Sequence, residues 1–196
     1  MKIAIFGGTG FVGQYVVEEL VLHGHHPVLL VRPESKHKLP LPEQCDIVTG
    51  YLSDEKDIEK TLRDCSAVIY LTGIIREFPW KAISFEELHF LAAVRVMEIS
   101  LRLGIHRFIF MSANGVRPDG TKYQRSKYMA EVHLRSSKLA WTILRPSVIF
   151  GDPHGRTDFC TMIRNQLILK PFPVPLFYRG CLPKDAGRFK LSPIHV

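Results

Sequence analysis

The sequence predicts an α/β fold built on a doubly wound parallel sheet. Three observations predict it. Short apolar runs alternate with helical patterns over residues 1–150, at least one run is apolar throughout, and a glycine-rich turn, Gly7-Gly8-Thr9-Gly10-Phe11-Val12-Gly13, joins the first run to the first helix. A run without alternation fits a parallel strand, because crossover helices cover both faces of such a sheet.

Each element follows in turn. Lys2–Phe6 is a short β-rich run. Phe11–His23 has helical spacing, with Val12, Tyr15, Val16, Leu20 and His23 expected on one face. The cluster His23, His25 and His26 surrounds Gly24 and reads as a polar turn; no metal site is expected there. Val28–Val31 and Asp46–Thr49 are strands two and three. Asp54–Asp64 is a helix whose acidic first turn suits the helix dipole. Ala67–Leu71 is strand four, and Phe85–Leu103 is a long amphipathic helix stopped by Gly104. Arg107–Met111, Ser126–Ser136 and Trp141–Leu144 complete the pattern as strand, helix and strand.

The texture changes after Phe150. Residues 151–196 hold six of the thirteen prolines, and 170–176 reads Lys-Pro-Phe-Pro-Val-Pro-Leu. Such proline density excludes a helix or a central strand. Two parts are expected: 1–150 as the doubly wound domain, and 151–196 as an irregular, truncated substrate or cap segment over the sheet's C-terminal edge.

Composition narrows the functional classes. A hydrophobic content of 46% and a charged content of 23% are ordinary for a globular chain. No apolar run is long enough to span a bilayer, and Met1-Lys2 leads straight into the first strand without a signal-peptide pattern. Cys45, Cys65, Cys160 and Cys181 form no Cys-x-x-Cys pair, so neither zinc nor a disulfide framework is expected. A cytoplasmic location follows, soluble or peripheral to a membrane. The formal charge of +7 favours an anionic ligand or surface. Without a basic block or an aromatic–basic repeat, nucleic acid is not the expected anion.

The glycine turn points to a better one. Gly7-x-x-Gly10-x-x-Gly13 follows a strand and opens a helix, the context of a dinucleotide fingerprint. Gly7 permits the turn, Gly10 lets the backbone approach a pyrophosphate, and Gly13 lets the helix pack on the strand. Gly7, Thr9, Gly10, Phe11, Val12 and Gly13 are therefore the candidate pyrophosphate-binding residues, facing it with helix N-terminal amides. Strand two ends Leu30-Val31-Arg32, with Lys36 and Lys38 just beyond. An acidic residue here would bind ribose hydroxyls, whereas Arg32 suits a 2′-phosphate. NADP(H) is the expected cofactor, with NAD(H) as the alternative.

With these residues in place, the chain resembles the short-chain dehydrogenase/reductase superfamily, in its atypical, NAD-dependent epimerase/dehydratase-like branch. Within that branch it is similar to the proteins related to the 39-kDa-type accessory subunit of respiratory complex I. The landmarks are the glycine loop, Val31-Arg32, Gly50-Tyr51-Leu52-Ser53-Asp54, Tyr70-Leu71-Thr72-Gly73, Phe110-Met111-Ser112-Ala113-Asn114-Gly115, Tyr123-x-x-x-Lys127, Leu144-Arg145-Pro146-Ser147-Val148-Ile149-Phe150-Gly151 and Ser192-Pro193-Ile194-His195-Val196. The resemblance implies that Leu52 flanks the adenine, that Leu71, Thr72 and Gly73 line the ribose, and that Pro146, Ser147 and Val148 border the nicotinamide. Tyr51 departs from the pattern, standing where the family has an Asp near the adenine amine. The chain also ends where the family continues into a substrate subdomain.

The superfamily's chemistry implies a catalytic set of Ser112, Tyr123 and Lys127, with Tyr123 and Lys127 also touching the cofactor. Tyr123 is the acid/base, Lys127 lowers its pKa, and Ser112 holds the substrate oxygen. Tyr123 and Lys127 are four apart, so a helix puts them on one face. The gap from Ser112 to Tyr123 is shorter than in standard members. Two readings stay open. One is an oxidoreductase or epimerase/dehydratase acting on a carbonyl, sugar-nucleotide or quinone-like small molecule. The other is a non-catalytic NADPH-binding module in an assembly or sensor.

Overall fold

A computed structural model describes residues 1–81, 83–152, 154, 161, 164, 165, 169 and 192–196. Six strands form one sheet: β1 (Lys2–Phe6), β2 (His26–Val31), β3 (Asp46–Thr49), β4 (Ala67–Tyr70), β5 (Arg107–Met111) and β6 (Ala140–Leu144). All pairings are parallel, in the order β3-β2-β1-β4-β5-β6. Helices α1 (Phe11–Leu22), α2 (Glu55–Leu62), α3 (Ala92–Arg102) and α4 (Lys122–Ser136) lie in the connections. The doubly wound parallel sheet expected from the sequence is the fold. Its winding reverses at β1, which opens a crevice beyond the carboxyl ends of β1 and β4.

Strand pleating sorts the core into two layers. Ala4, Phe6, Val28, Leu30, Val68, Tyr70, Phe108 and Phe110 face one way, against Ile58 and Leu62 of α2, Val96 and Met97 of α3, and Ala130 and Leu134 of α4. Ile3, Ile5, Leu29, Val31 and Ile69 face the other way and meet Val17 of α1. Burial on both sides explains the near-continuous apolar runs. Phe6, Tyr70 and Phe110 occupy one register row across β1, β4 and β5. Their rings sit 6.1 and 5.9 Å apart, inclined by 32° and 28°, forming an aromatic floor at the end of the sheet that bears the crevice.

Three local features differ from the sequence reading. The sheet-facing side of α1 is Gly13, Gln14 and Val17, with Val16 and Leu20 at its margin; Val12 is only half-buried and His23 is exposed. Gly13 must press on the preceding turn, and that contact sets the rotation of the whole helix. Helix α4 begins at Lys122 rather than Ser126, because Thr121 and Gln124 form a reciprocal capping box. The long helix before β5 opens with a π-helical turn over Glu86–Leu91, in which the Ala92 amide donates to the Glu87 carbonyl.

Residues Met1–Arg145 form one unit and Pro146–Val196 another; the sequence reading draws the line after Phe150. In the second unit β7 (Ile149–Phe150) pairs in parallel with β8 (Ile194–His195). The proline-rich stretch 170–176 lies outside the described residues. Among the described residues, no helix is long and apolar enough to cross a membrane, and no cluster of His, Cys, Asp and Glu is placed to hold a metal ion.

The capping box carries the first prediction. Thr121→Ala leaves the Gln124 amide without its acceptor, so stability should fall by about 1 kcal/mol. Urea unfolding should show a lower midpoint at unchanged slope; an unchanged midpoint would remove the cap from the account of where α4 starts.

Candidate functional site

The crevice is lined by turns that leave the strands of the sheet, and glycine shapes the first of them. Gly7 takes φ +96°, and a Cβ there would lie 2.9 Å from the backbone of both Leu71 and Thr72. A Cβ on Gly8 would fall 2.2 Å from Leu29 Cδ2, and one on Gly13 would fall 2.2 Å from the Gly7 carbonyl oxygen. Gly10 differs: its nearest atom would be that same oxygen, at 3.2 Å. Gly10, at the N-cap of α1, supplies no side-chain cap, and no acidic residue occupies the first turn. The positive end of the helix and its first backbone amides therefore meet no carboxylate of that turn. That arrangement suits a diphosphate, and the cradle fits the pyrophosphate of a dinucleotide.

Arg32, Leu52, Leu71, Thr72 and Gly73 follow the carboxyl ends of β2, β3 and β4. Phe6 pairs with Leu30, so Gly7–Gly8 and Val31–Arg32 leave the sheet side by side. Arg32 Nη1 lies 3.6 Å from Glu34, and its Nη2 lies 3.5 Å from Ser35 Oγ. This exposed pair is worth about 0–1 kcal/mol, so the guanidinium can turn to a phosphate at little cost. Tyr51, in the place of the family's Asp, donates its hydroxyl to Glu34 at 3.5 Å and its amide to Asp57 at 3.1 Å. Leu52 packs on the core while its carbonyl accepts from Arg95 of α3 at 3.0 Å. Leu71 and Thr72 lie against Gly7, and Gly73 follows.

Tyr123 and Lys127 meet the crevice from α4. Lys127 is 4% exposed. Its ammonium donates to the Met111 carbonyl at 2.9 Å and stands 5.6 and 5.9 Å from the ring centroids of Phe110 and Tyr123. A Cβ on Gly73 would lie 3.6 Å from that nitrogen. Burial lowers the Lys127 pKa to about 8, and burial likewise raises that of the Tyr123 phenol. The structure thus brings Tyr123, Lys127 and Gly73 together at the end of the aromatic floor.

Ser112 is buried just beyond β5, next to Met111, whose carbonyl accepts from Lys127. Its hydroxyl has no partner at ordinary hydrogen-bond geometry, but it lies close enough to Glu131 to lower the pKa of that carboxyl. Burial alone would raise the Glu131 pKa, but Arg145, Ser112 and Arg135 outweigh it and hold the carboxyl below its ordinary range. Arg145 grips it with two nitrogens. Pro146, Ser147 and Val148 belong to the second unit.

Three residues near Tyr123, and Arg95 beside Leu52, are not among the predicted site residues; the sequence reading gives His89 a structural position in mid-helix. The His89 ring lies edge-on to Tyr123 at 5.2 Å, and Phe85 stacks on His89 at 5.3 Å. Ser126 bridges His89 to the Tyr123 carbonyl, and Arg95 holds Leu52. None belongs to a short motif, and the contacts of His89 with α4 join residues more than thirty positions apart.

A family model described as NAD(P)H-binding matches residues 7–168. The 40 kDa subunit of mitochondrial NADH-ubiquinone oxidoreductase from Neurospora crassa is 31% identical, over 98% of this chain and 48% of its own length. A ceramide reductase from Caulobacter vibrioides is 28% identical, over 79% of this chain and 48% of its own. The chain spans about half the length of these curated relatives. A solved NAD-dependent epimerase/dehydratase structure from Bacillus halodurans superposes with a TM-score of 0.65 at 27% identity, covering 78% of this chain and 72% of that one.

Two glycine substitutions should separate binding from folding. Gly10→Val should leave a folded chain and abolish dinucleotide binding, because its side chain would enter the space of a pyrophosphate. Gly13→Ala drives a methyl into the Gly7 carbonyl and should lower stability by about 1–3 kcal/mol. Calorimetric titration and thermal unfolding of both variants test this; wild-type affinity in Gly10→Val would remove the loop as the phosphate site.

Proposed function

This chain belongs to the NAD(P)H-binding family, and we propose that within it the chain is an NADP(H)-dependent oxidoreductase or epimerase/dehydratase acting on a carbonyl, sugar-nucleotide or quinone-like substrate. One observation carries the reading: Tyr123 and Lys127 share a face of α4, with the buried Lys127 ammonium under the Tyr123 ring and beside Gly73. A bound dinucleotide supplies hydride chemistry at its nicotinamide. The glycine loop holds the diphosphate, Arg32 takes the 2′-phosphate, and Leu71, Thr72 and Gly73 line the ribose.

Tyr123 handles the proton. Burial raises its pKa, so the phenol is protonated near neutrality and holds the proton that a substrate oxygen would receive. The Lys127 ammonium stabilises the phenolate that remains. Above about pH 8 Lys127 loses its charge and the phenolate loses that support.

One observation favours the second reading, a non-catalytic NADPH-binding assembly or sensor module: the chain is 31% identical to a subunit of a larger assembly, the mitochondrial NADH-ubiquinone oxidoreductase. The same measurements decide between the two. With a carbonyl and quinone panel, Tyr123→Phe should reduce turnover by about 10²–10⁴ with little change in NADPH affinity, and wild-type turnover should decline as pH rises through about 8. Wild-type turnover in Tyr123→Phe would exclude the acid–base role.

Cofactor choice is tested separately. A charge-assisted contact from Arg32 is worth about 1.5–3 kcal/mol, so NADPH should bind tenfold or more tighter than NADH, at about 1.4 kcal/mol per tenfold. Arg32→Ala should erase the difference. Equal wild-type affinities for the two nucleotides would contradict the assignment.

A further inference from the structure

His89 is fully buried, yet both of its ring nitrogens are engaged. The Ile74 amide donates to Nε2 at 3.0 Å. Since Nε2 accepts, the proton of the neutral ring sits on Nδ1, which lies 3.1 Å from Ser126 Oγ and donates to it. Ser126 in turn donates to the Tyr123 carbonyl at 3.0 Å. Burial, with the nearby Lys127 charge, lowers the His89 pKa to about 3, so the neutral ring and its single tautomer persist across the physiological range.

The ring is also fixed from its sides. Phe85 stacks on it at 5.3 Å, and both rings present themselves edge-on to Tyr123, at 5.2 and 5.6 Å. The π-helical turn that carries His89 is anchored from the aromatic floor, where the Tyr70 hydroxyl donates to the Leu88 carbonyl at 2.7 Å. A π turn inserts an extra residue into a helix and is often found at functional sites. A Cβ on Gly73 would lie 3.5 Å from His89 Nε2 and 3.6 Å from Lys127 Nζ. His89 therefore stands where the segment after β4, the start of α4 and the Lys127 ammonium converge.

We propose that His89 is a positioning residue, whose imidazole ties the Gly73–Ile74 backbone to the first turn of α4 and so fixes Tyr123 against Lys127 and the ribose-lining strand end. The proposal rests on the acid–base reading of Tyr123. Its two arms have separate tasks. The Nε2 arm sets the backbone that lines the ribose and governs cofactor affinity. The Nδ1 arm, through Ser126, sets Tyr123 and governs proton transfer. His89 touches neither reacting atom and is not itself an acid or base.

The arms can be separated because asparagine places an amide nitrogen near Nδ1, whereas glutamine places an amide oxygen near Nε2. His89→Asn keeps the arm to Ser126, and His89→Gln keeps the arm to Ile74. Two readouts need no substrate: calorimetric titration of NADPH, and ultraviolet titration of the Tyr123 phenol, identified by subtracting Tyr123→Phe in each background. In His89→Ala and Ser126→Ala the freed phenol should titrate lower, moving toward the ordinary value of about 10, while His89→Asn should keep the wild-type midpoint. NADPH affinity should fall by about fivefold in His89→Ala and His89→Asn, the size of one lost hydrogen bond, and be retained in His89→Gln and Ser126→Ala. Where turnover is measurable, Ser126→Ala should lower kcat at unchanged KM for NADPH.

A lowered melting temperature in these variants with unchanged phenol midpoint and NADPH affinity would overturn the proposal and leave His89 a core residue. Should His89→Ala not fold, the phenol midpoint in Ser126→Ala, where the imidazole stays in place, decides. Absence of turnover by the wild type toward every carbonyl and quinone would sink the acid–base reading, but both titrations would still report whether His89 positions Tyr123.

Discussion

The methyl group that Gly13 lacks would stand inside van der Waals distance of the Gly7 carbonyl, and much of the molecule follows from that contact. It presses the first turn of α1 onto the end of β1. It rotates the helix so that Gln14 and Val17 enter the core, and it aims the uncapped amides along the crevice. The same approach seats Gly7 against Leu71 and Thr72, so the cradle and the strand end that lines the ribose are shaped by one set of backbone contacts. A close-packed interior transmits such a constraint, because there is no slack to absorb a displaced helix.

Electrostatics in the crevice follow from burial more than from pairing. Desolvation is the largest influence on Lys127, His89 and Tyr123 alike, lowering the two bases and raising the acid. Each shift favours the uncharged form. Near neutrality His89 is uncharged and Tyr123 protonated, while the Lys127 ammonium stays charged and is solvated by the Met111 carbonyl and two ring faces. Such a pocket discriminates by shape and by hydrogen bonds, with one cation available where negative charge develops.

Local patterns carried most of the fold into view. The strands are continuous apolar runs, and the glycine turn sits between a strand and a helix, so both are legible within a few residues. The rotation of α1 was not, since periodicity defines an apolar stripe whereas the Gly13 contact decides which side of it meets the sheet. The start of α4 was hidden in Thr121 and Gln124, a capping pair read only when the helix boundary is sought there. Tyr123 and Lys127 were visible as a spacing, and the glycine loop and Arg32 as motif positions. His89, Phe85 and Ser126 were not, because their partnership joins two helices through space. Ser112 was legible as a strand-end serine, but its closeness to Glu131 was not, since no motif links the two.

The strand order has a kinetic consequence. β1 is made before the other strands of its sheet, yet it lies between β2 and β4. Its pairing with β4, Ile3 to Ala67, spans more of the chain than any other pairing in the six-stranded sheet. During synthesis β1 and β2 can associate early, but one edge of β1, the strand of Ile3, Ile5 and Phe6, stays open until β4 has been made. An apolar strand edge exposed for that interval is a template for pairing with another nascent chain. The strand that later underlies the crevice is thus open to mispairing while the sheet is being made.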